Sequence, residues 1–293
     1  AGLGLSLGGV LNIALDPFFV LPFGLNMNIK GAAIATLISN VVTTLYFAIL
    51  LIVIRKKSVV SFSPKKACLA IKEKIARNVL FTGLPSALQT MLSAVSNLVL
   101  NSLMIGYGET AEAAVGVTKK IDAVPFGMVT GLAQGAAPLI AYNNGAKKYD
   151  KMKTTLKLSL CYCVGLAITV LIVVESAAGA LIEVFIKDAS TVTYGEKFLR
   201  LHCASLPFMA VTFMLVSYFQ AVGAKGKAFL LSIIRKGIVD IPLMYLLNVL
   251  TPVYGIVACQ PITDVISATV GVILYVLWKK KFQKTEEEQE IIV

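Results

Sequence analysis

Eight stretches of this chain are apolar for long enough to cross a bilayer as helices. Their limits, soft at the edges, are 3–23, 31–54, 79–105, 112–142, 154–178, 195–222, 226–250 and 255–278. A spanning helix needs about 20 such residues. Lipid offers no partner for backbone N–H and C=O groups, so each stretch must satisfy its own, and a helix does this within one segment. Only 15% of the 293 residues are charged, against about a quarter in ordinary soluble domains. The net charge of +11 therefore reads as a membrane feature. Its lysines and arginines cluster between the apolar runs, as in cytoplasmic loops.

Loop charge also orients the chain. Arg55, Lys56, Lys57, Lys65, Lys66, Lys72, Lys74 and Arg77 fall on one side, with Lys147, Lys148, Lys151, Lys153, Lys225, Lys227, Lys279, Lys280, Lys281 and Lys284. The other side holds Lys30 and Lys187 and little else. Both ends are thus expected on the cytoplasmic side of a multi-pass protein, with the lipid bilayer as partner and no nucleic acid. In 55–78, Ala67, Ile71 and Ile75 recur every four residues among basic ones. This reads as an amphipathic helix on the cytoplasmic leaflet, or otherwise as a solvated linker. The tail 279–293 reads as solvated. The five cysteines lie in or beside apolar runs and read as reduced packing residues. No nucleophile–base pair, clustered acids or metal-ligand spacing is visible, so an enzyme and a cofactor are not expected.

Asp16 is the one ionisable side chain between Ala1 and Met27. An ionised Asp at mid-membrane costs about 2.5–3.5 kcal/mol on insertion scales, which marks it as functional. A carboxyl there favours neutralisation, by a proton or by a sodium ion with neighbouring oxygens. Asn12 sits one turn earlier on the same face and can offer a carbonyl or an amide. A polar clamp between helices is the plainer alternative. Asp16 also has a counterpart. Asp16 and Asp240 are 224 positions apart, as are Gly31 and Gly255, and Lys56-Lys57 and Lys280-Lys281. Gly4, Gly8, Asn12 and Asp16 share one helix face, and so do Ala228, Ser232, Lys236 and Asp240. Small residues on such a face permit close helix approach.

Six spans separate the two acids, so the halves keep one orientation, related by an axis along the membrane normal. The expected architecture is all-α, with eight spans present of twelve, in two six-helix bundles of pseudo-two-fold symmetry. Residues 1–54 would be the last two helices of the first bundle, 55–78 a linker, and 79–278 the second bundle. By the same symmetry, roughly 150 residues with four more spans would precede Ala1.

Four blocks in order resemble the multidrug and toxic compound extrusion (MATE) family: "LNIALDPFF…GAAIAT" (11–36), "GLPSALQTMLSAVSNLVLNSLMIGYGETAEAAVGVTKK" (83–120), "GLAQGAAPLIAYNNGAKKYDK" (131–151) and "YFQAVGAKGKA…IPLMYLL" (218–247). The likeness is nearest to its bacterial multidrug branches. It implies a monomeric inner-membrane antiporter that expels small amphipathic, often cationic compounds, driven by inward H+ or Na+. It also implies a cation site of Asn12, Asp16 and Thr36, with sodium at Asp16 as the sole metal in view. A lipid-linked saccharide flippase of the same superfamily is the alternative. It would use Lys119, Lys120, Arg235 and Lys236 as a cationic groove for a phosphate head.

Other polar residues are candidates for the substrate cavity. Gln89, Ser93, Asn97 and Asn101 form a stripe at four-residue spacing, which should avoid lipid and face a cavity or a neighbouring helix. Gln134 lies between Gly131 and Gly135 and is either cavity-lining or packed. Lys236 and Asp240 can pair at i, i+4, and an acid with a permanent partner is a poor switch, so Asp16 is the expected coupling acid. Arg235 is expected to snorkel to the cytoplasmic boundary. Lys119 and Asp122 can pair at i, i+3 and read first as a span boundary, otherwise as a gate charge. His202 reads as a packing residue rather than a proton relay.

Overall fold

A computed structural model describes residues 2–21, 24–54 and 75–290, and all regular structure in them is helical. The chain divides into two compact units, Ala1–Ile75 and Ala76–Val293.

The first unit is a helical hairpin of α1 (Gly2–Val20) and α2 (Asn28–Ile54). Its turn is closed by Leu25 N–H donating to the Phe18 carbonyl at 3.0 Å and Met27 N–H to the Phe19 carbonyl at 2.9 Å. Asn26 and Asn28 take left-handed backbone angles, which asparagine tolerates better than most residues. The small-residue face of α1 is what lies against α2. Gly4 and Gly8 are buried. A Cβ at Gly8 would run into the Thr43 hydroxyl, and one at Gly4 into the rings of Tyr46 and Phe47. The four-residue spacing legible in the sequence is therefore the helix contact, with Asn12 and Asp16 continuing the same line.

The second unit contains α3 (Ile75–Ile105), which begins at the last residue of the first, then α4 (Glu109–Gly145), α5 (Tyr149–Glu183), α6 (Ala189–Cys203) and α7 (Leu206–Ala221). It continues as α8 (Lys225–Ile233), a π-helical stretch (Ile234–Val239), α9 (Asp240–Leu250) and α10 (Tyr254–Glu290). Asp188 caps α6, accepting from the Thr191 N–H at 2.9 Å. Its carboxyl, held by this bond and by the hydroxyls of Ser190 and Thr191, titrates down at about 2. The core is built where α4, α5, α6 and α7 meet, from Val129, Ala133, Ile140, Cys163, Ala167, Leu199, Met214 and Phe219. Small residues there let the helices close up, as in other membrane bundles.

Among the described residues, α1, α2, α3, α4, α5 and α10 are each long and apolar enough to cross a membrane, and α6 with α7, bent by 42°, makes a seventh. The eighth expected span, 226–250, is helical from end to end. It carries Lys227, Arg235, Lys236 and Asp240, and its π stretch divides it, so apolarity alone does not single it out. Exposed apolar side chains such as Leu3, Ile52, Val173 and Val249 would form large sticky patches in water and suit acyl chains. This is a multi-pass membrane protein. The stretch 55–74, holding nearly all of the expected surface helix, lies outside the described residues, as do 291–293.

Candidate functional site

In the first unit, Asn12, Asp16 and Thr36 come together. Asn12 Nδ2 reaches Asp16 Oδ1 at 3.5 Å and Thr36 Oγ1 at 3.4 Å. Both distances sit at the outer edge of hydrogen bonding. The Thr36 hydroxyl donates its proton back to the Ala32 carbonyl at 2.9 Å, which leaves its lone pairs turned outward. Asp16 and Asn12 are half-buried and Thr36 is exposed. Pro17 follows the acid inside the helix, and its missing N–H frees the carbonyl one turn back, at Ile13. The result is a loose group of oxygens around one carboxylate.

In the second unit, the residues 224 positions on make the same two side-chain contacts in a tighter form. Asn12 corresponds to Lys236, Asp16 to Asp240 and Thr36 to Gln260. Lys236 Nζ donates to Asp240 Oδ2 at 3.1 Å and to Gln260 Oε1 at 2.6 Å. Ser96 donates to Asp240 Oδ2 at 2.5 Å. Gln260 Nε2 donates in turn to Asp264 Oδ2 at 2.8 Å, and Arg235 Nε to Asp264 Oδ1 at 2.6 Å. Arg235 also lies over the Phe213 ring. Asp240 and Asp264 are 1% and 0% exposed and Arg235 is 2% exposed. Buried charges survive only when paired in this way.

The π-helical stretch explains how neighbouring residues both enter this network. Successive residues of an α-helix diverge by about 100°. The wider π turn, a feature often found at functional sites, delivers Arg235 and Lys236 to Asp264 and Gln260, which are one turn apart on α10. Gly237 within the turn faces Leu92, and a Cβ there would crowd it.

A cavity of about 230 Å³ opens beside the network. Ser93, Asn97, Lys119, Asp122, His202 and Lys236 are among the side chains that line it. His202 Nε2 lies 3.1 Å from Asp122 Oδ2, and Lys119 Nζ donates to Asn101 Oδ1 at 3.0 Å.

Several expectations need correcting. Arg235 does not snorkel: an acid inside the bundle satisfies it, so it stays buried. His202 is a polar cavity residue, not a packing one. Lys119 and Asp122 do not pair with each other, because each has a partner on another helix: Lys119 takes Asn101 of α3 and Asp122 takes His202 of α6. Ser93 and Asn97 line the cavity of their own unit. Gln89 is buried with its Nε2 unpartnered, and Gln134 is exposed and lines no part of this cavity. Asp264, Gln260 and Ser96 also belong to the network. Asp264 is an acid inside an apolar run, the criterion that picked out Asp16, and Gln260 and Asp264 follow from the 224-residue offset applied to Thr36 and Asn40.

Buried, paired charges within apolar helices define the class: a polytopic helical membrane protein with polar sites inside its bundles, as solute and ion carriers have. The family model MatE matches residues 85–246, more than half of the chain, and the chain belongs to that family. It is 30% identical over 286 residues to the multidrug export protein MepA of Staphylococcus saprophyticus subsp. saprophyticus, covering 98% of this chain and 62% of the relative. It is 28% identical over 282 residues to MepA of Staphylococcus haemolyticus, with coverages of 96% and 60%. In fold it matches an outward-facing multidrug resistance MATE family transporter of the MOP superfamily, with a TM-score of 0.84 at 24% identity, over 96% of this chain and 62% of that one. The Vibrio cholerae MATE transporter VcmN matches at a TM-score of 0.82 and 20% identity, over 96% and 62%. The chain thus spans about three-fifths of the length of these proteins.

Proposed function

We propose that the protein works as a secondary active multidrug efflux antiporter of the bacterial inner membrane, with both ends of this chain cytoplasmic. Inward H+ or Na+ exchanges at Asp16, assisted by Asn12 and Thr36, and small amphipathic, mostly cationic compounds leave by alternating access. One contrast carries this reading. The acid of the first unit is held at 3.5 Å by a neutral amide that can let go, whereas its counterpart Asp240 already has a cation, Lys236, built in. A carboxylate that has to be neutralised from outside is suited to coupling, and one neutralised by its own chain is not. The names of the MepA relatives support the substrate class. Residues 1–54 and 79–278 fit parts of two bundles, as the 224-residue repeat suggests, and the protein acts as a monomer without a cofactor.

The energetic scale is adequate. One positive charge entering down a membrane potential supplies about 2.3 kcal/mol per 100 mV, which sustains about a fortyfold gradient of a neutral drug. The test is drug uptake into inverted vesicles, with proton and sodium gradients imposed separately. Asp16→Asn should abolish gradient-driven transport and Asp240→Asn should reduce it less. Equal transport by wild type and Asp16→Asn removes the role given to Asp16.

A further inference from the structure

We infer that His202 and Asp122 form a proton-binding clamp between α4 and α6, tight when the imidazole is charged and slack when it is neutral. This goes beyond the ion exchange proposed at Asp16. It lies in the other unit, and it governs how freely two helices part, not how many charges cross the membrane.

The pair sits where both helices are weakest. α6 and α7 make one span broken by 42°. Pro207, in the first turn of α7, has no N–H to give to the Cys203 carbonyl, so the helical ladder stops there. The Ser205 N–H closes the turn instead, donating to the His202 carbonyl at 3.1 Å. His202 thus shapes the bend with its backbone and reaches α4 with its ring. On α4, Pro125 likewise leaves the Ile121 carbonyl, next to Asp122, without its helical donor. Helices bend at such breaks, and hinges use a few residues at element ends.

The chemistry of the pair depends on one proton. His202 Nε2 lies 3.1 Å from Asp122 Oδ2, with both side chains 15% exposed. A neutral ring with its proton on Nε2 donates to the carboxylate. A second proton, taken up at Nδ1, makes this an ion pair, and charge-assisted bonds are roughly twice as strong as neutral ones. Histidine is the side chain whose charge ordinarily changes between about pH 5 and 8. The bases facing the pair are Lys119 of α4 and Arg235 and Lys236 of the π stretch, the last two matched by Asp264 and Asp240. They equal Asp122, Asp240 and Asp264 in number, so the cavity is formally neutral until His202 takes up its proton. Further out, Arg200 of α6 holds Glu196 and Glu175 of α5, Lys197 lies over the Tyr254 ring of α10, and Cys203 is buried beside His202. The side chains that α3 and α7 bring to the cavity, such as Ser93, Asn97 and Ser205, carry no charge.

The proton is read on wild type by nitrogen NMR of histidine-labelled protein in nanodiscs, with the His202 signal identified by its loss in His202→Gln. The imidazole should change protonation state between about pH 5 and 8. The clamp is read by hydrogen exchange of the α6 amides, as the rate in His202→Gln divided by the rate in wild type at the same pH. Glutamine keeps a neutral N–H for Asp122, and the division cancels the intrinsic pH dependence of exchange. That ratio should be about tenfold larger at the acid end of the range than at the alkaline end, the scale of replacing a charge-assisted bond by a neutral one. Made in an Asp122→Asn background, the same comparison should give a ratio that does not change with pH. Lys119 and the other titratable groups are common to both members of each comparison. The clamp is overturned by an imidazole that keeps one protonation state throughout, by a ratio equal at both ends of the range, or by a pH-dependent ratio that survives Asp122→Asn. No transport is measured, so the outcome is independent of Asp16.

Discussion

Replacing Lys236 with asparagine should turn the closed cluster of the second unit into a copy of the open one in the first. In the protein as it stands, Asp240 Oδ2 accepts from Lys236 at 3.1 Å and from Ser96 at 2.5 Å, and Oδ1, among the described residues, meets only the weak thiol donor of Cys259 at 3.5 Å. Asp240 is 1% exposed, so water does little to replace the lost ammonium. Removing one partner of a buried ion pair costs about 3–5 kcal/mol, because the other is left uncompensated. The asparagine amide offsets part of this, which puts Lys236→Asn near the lower end. In a unit the size of Ala76–Val293, each kcal/mol moves the melting temperature by about 2–4 °C. Lys236→Asn should therefore melt roughly 6–12 °C below wild type. Sodium should then restore what the lysine supplied: at about 100-fold excess over its Kd, a bound ion returns about 2.7 kcal/mol. The assay is thermal unfolding of both proteins in sodium chloride and in choline chloride at equal ionic strength. Any effect of sodium at Asp16 is common to both proteins, so the second cluster is read from the extra stabilisation by sodium that Lys236→Asn shows and wild type, whose second cluster is filled by its own ammonium, does not. The reasoning is refuted if Lys236→Asn melts within a few degrees of wild type, or if choline stabilises it as well as sodium does.

Two further outcomes follow from packing and capping. Gly8→Val places a branched side chain where the Thr43 hydroxyl of α2 already sits, so it should splay the hairpin and cost about 1–3 kcal/mol; cysteine cross-linking between the outer faces of α1 and α2 would report the separation. The Asp188 carboxyl titrates near 2 in the folded protein, below its ordinary value of about 3.8, so its support of α6 is present in full above pH 4 and is lost as the pH falls toward 2. Hydrogen exchange at the Thr191 amide should speed up over that window, and Asp188→Ala should show fast exchange at neutral pH.

The architecture was legible because lipid leaves a chain few choices. Apolar runs of spanning length, basic loops and glycines at four-residue spacing state helix positions directly, and Gly4 and Gly8 do form the α1–α2 contact. The first cluster was legible for a related reason: an acid in lipid stands out against its surroundings. The second was only half visible. Lys236 and Asp240 are neighbours on one helix, so their pairing is local. Arg235 with Asp264, Asp122 with His202 and Lys119 with Asn101 all join different helices, and linear spacing carries no information about them. Each of these residues, judged alone, has a plausible escape to the membrane boundary. It is the partner on another helix that makes burial affordable. The π turn was out of reach as well, since the partners it serves, Asp264 and Gln260, lie on another helix.

The unequal clusters make a statement about stoichiometry. If both acids exchanged ions, two charges could enter per drug molecule expelled. On the proposed mechanism, with Lys236 occupying the second cluster, one would enter. For a neutral drug at 100 mV, one charge balances about a fortyfold gradient, and two would balance the square of that, about 1,600-fold. Static-head measurements in vesicles clamped at a fixed potential, with no chemical gradient of the ion, separate these values easily. Wild type should stall near the lower figure. Lys236→Asn, with its second carboxylate opened to sodium, should either move toward the higher figure or leak ions without drug. A wild type that reaches the higher figure would mean that Asp240 sheds Lys236 during the cycle, and the pair would then be a moving part of the carrier rather than its fixed counterweight.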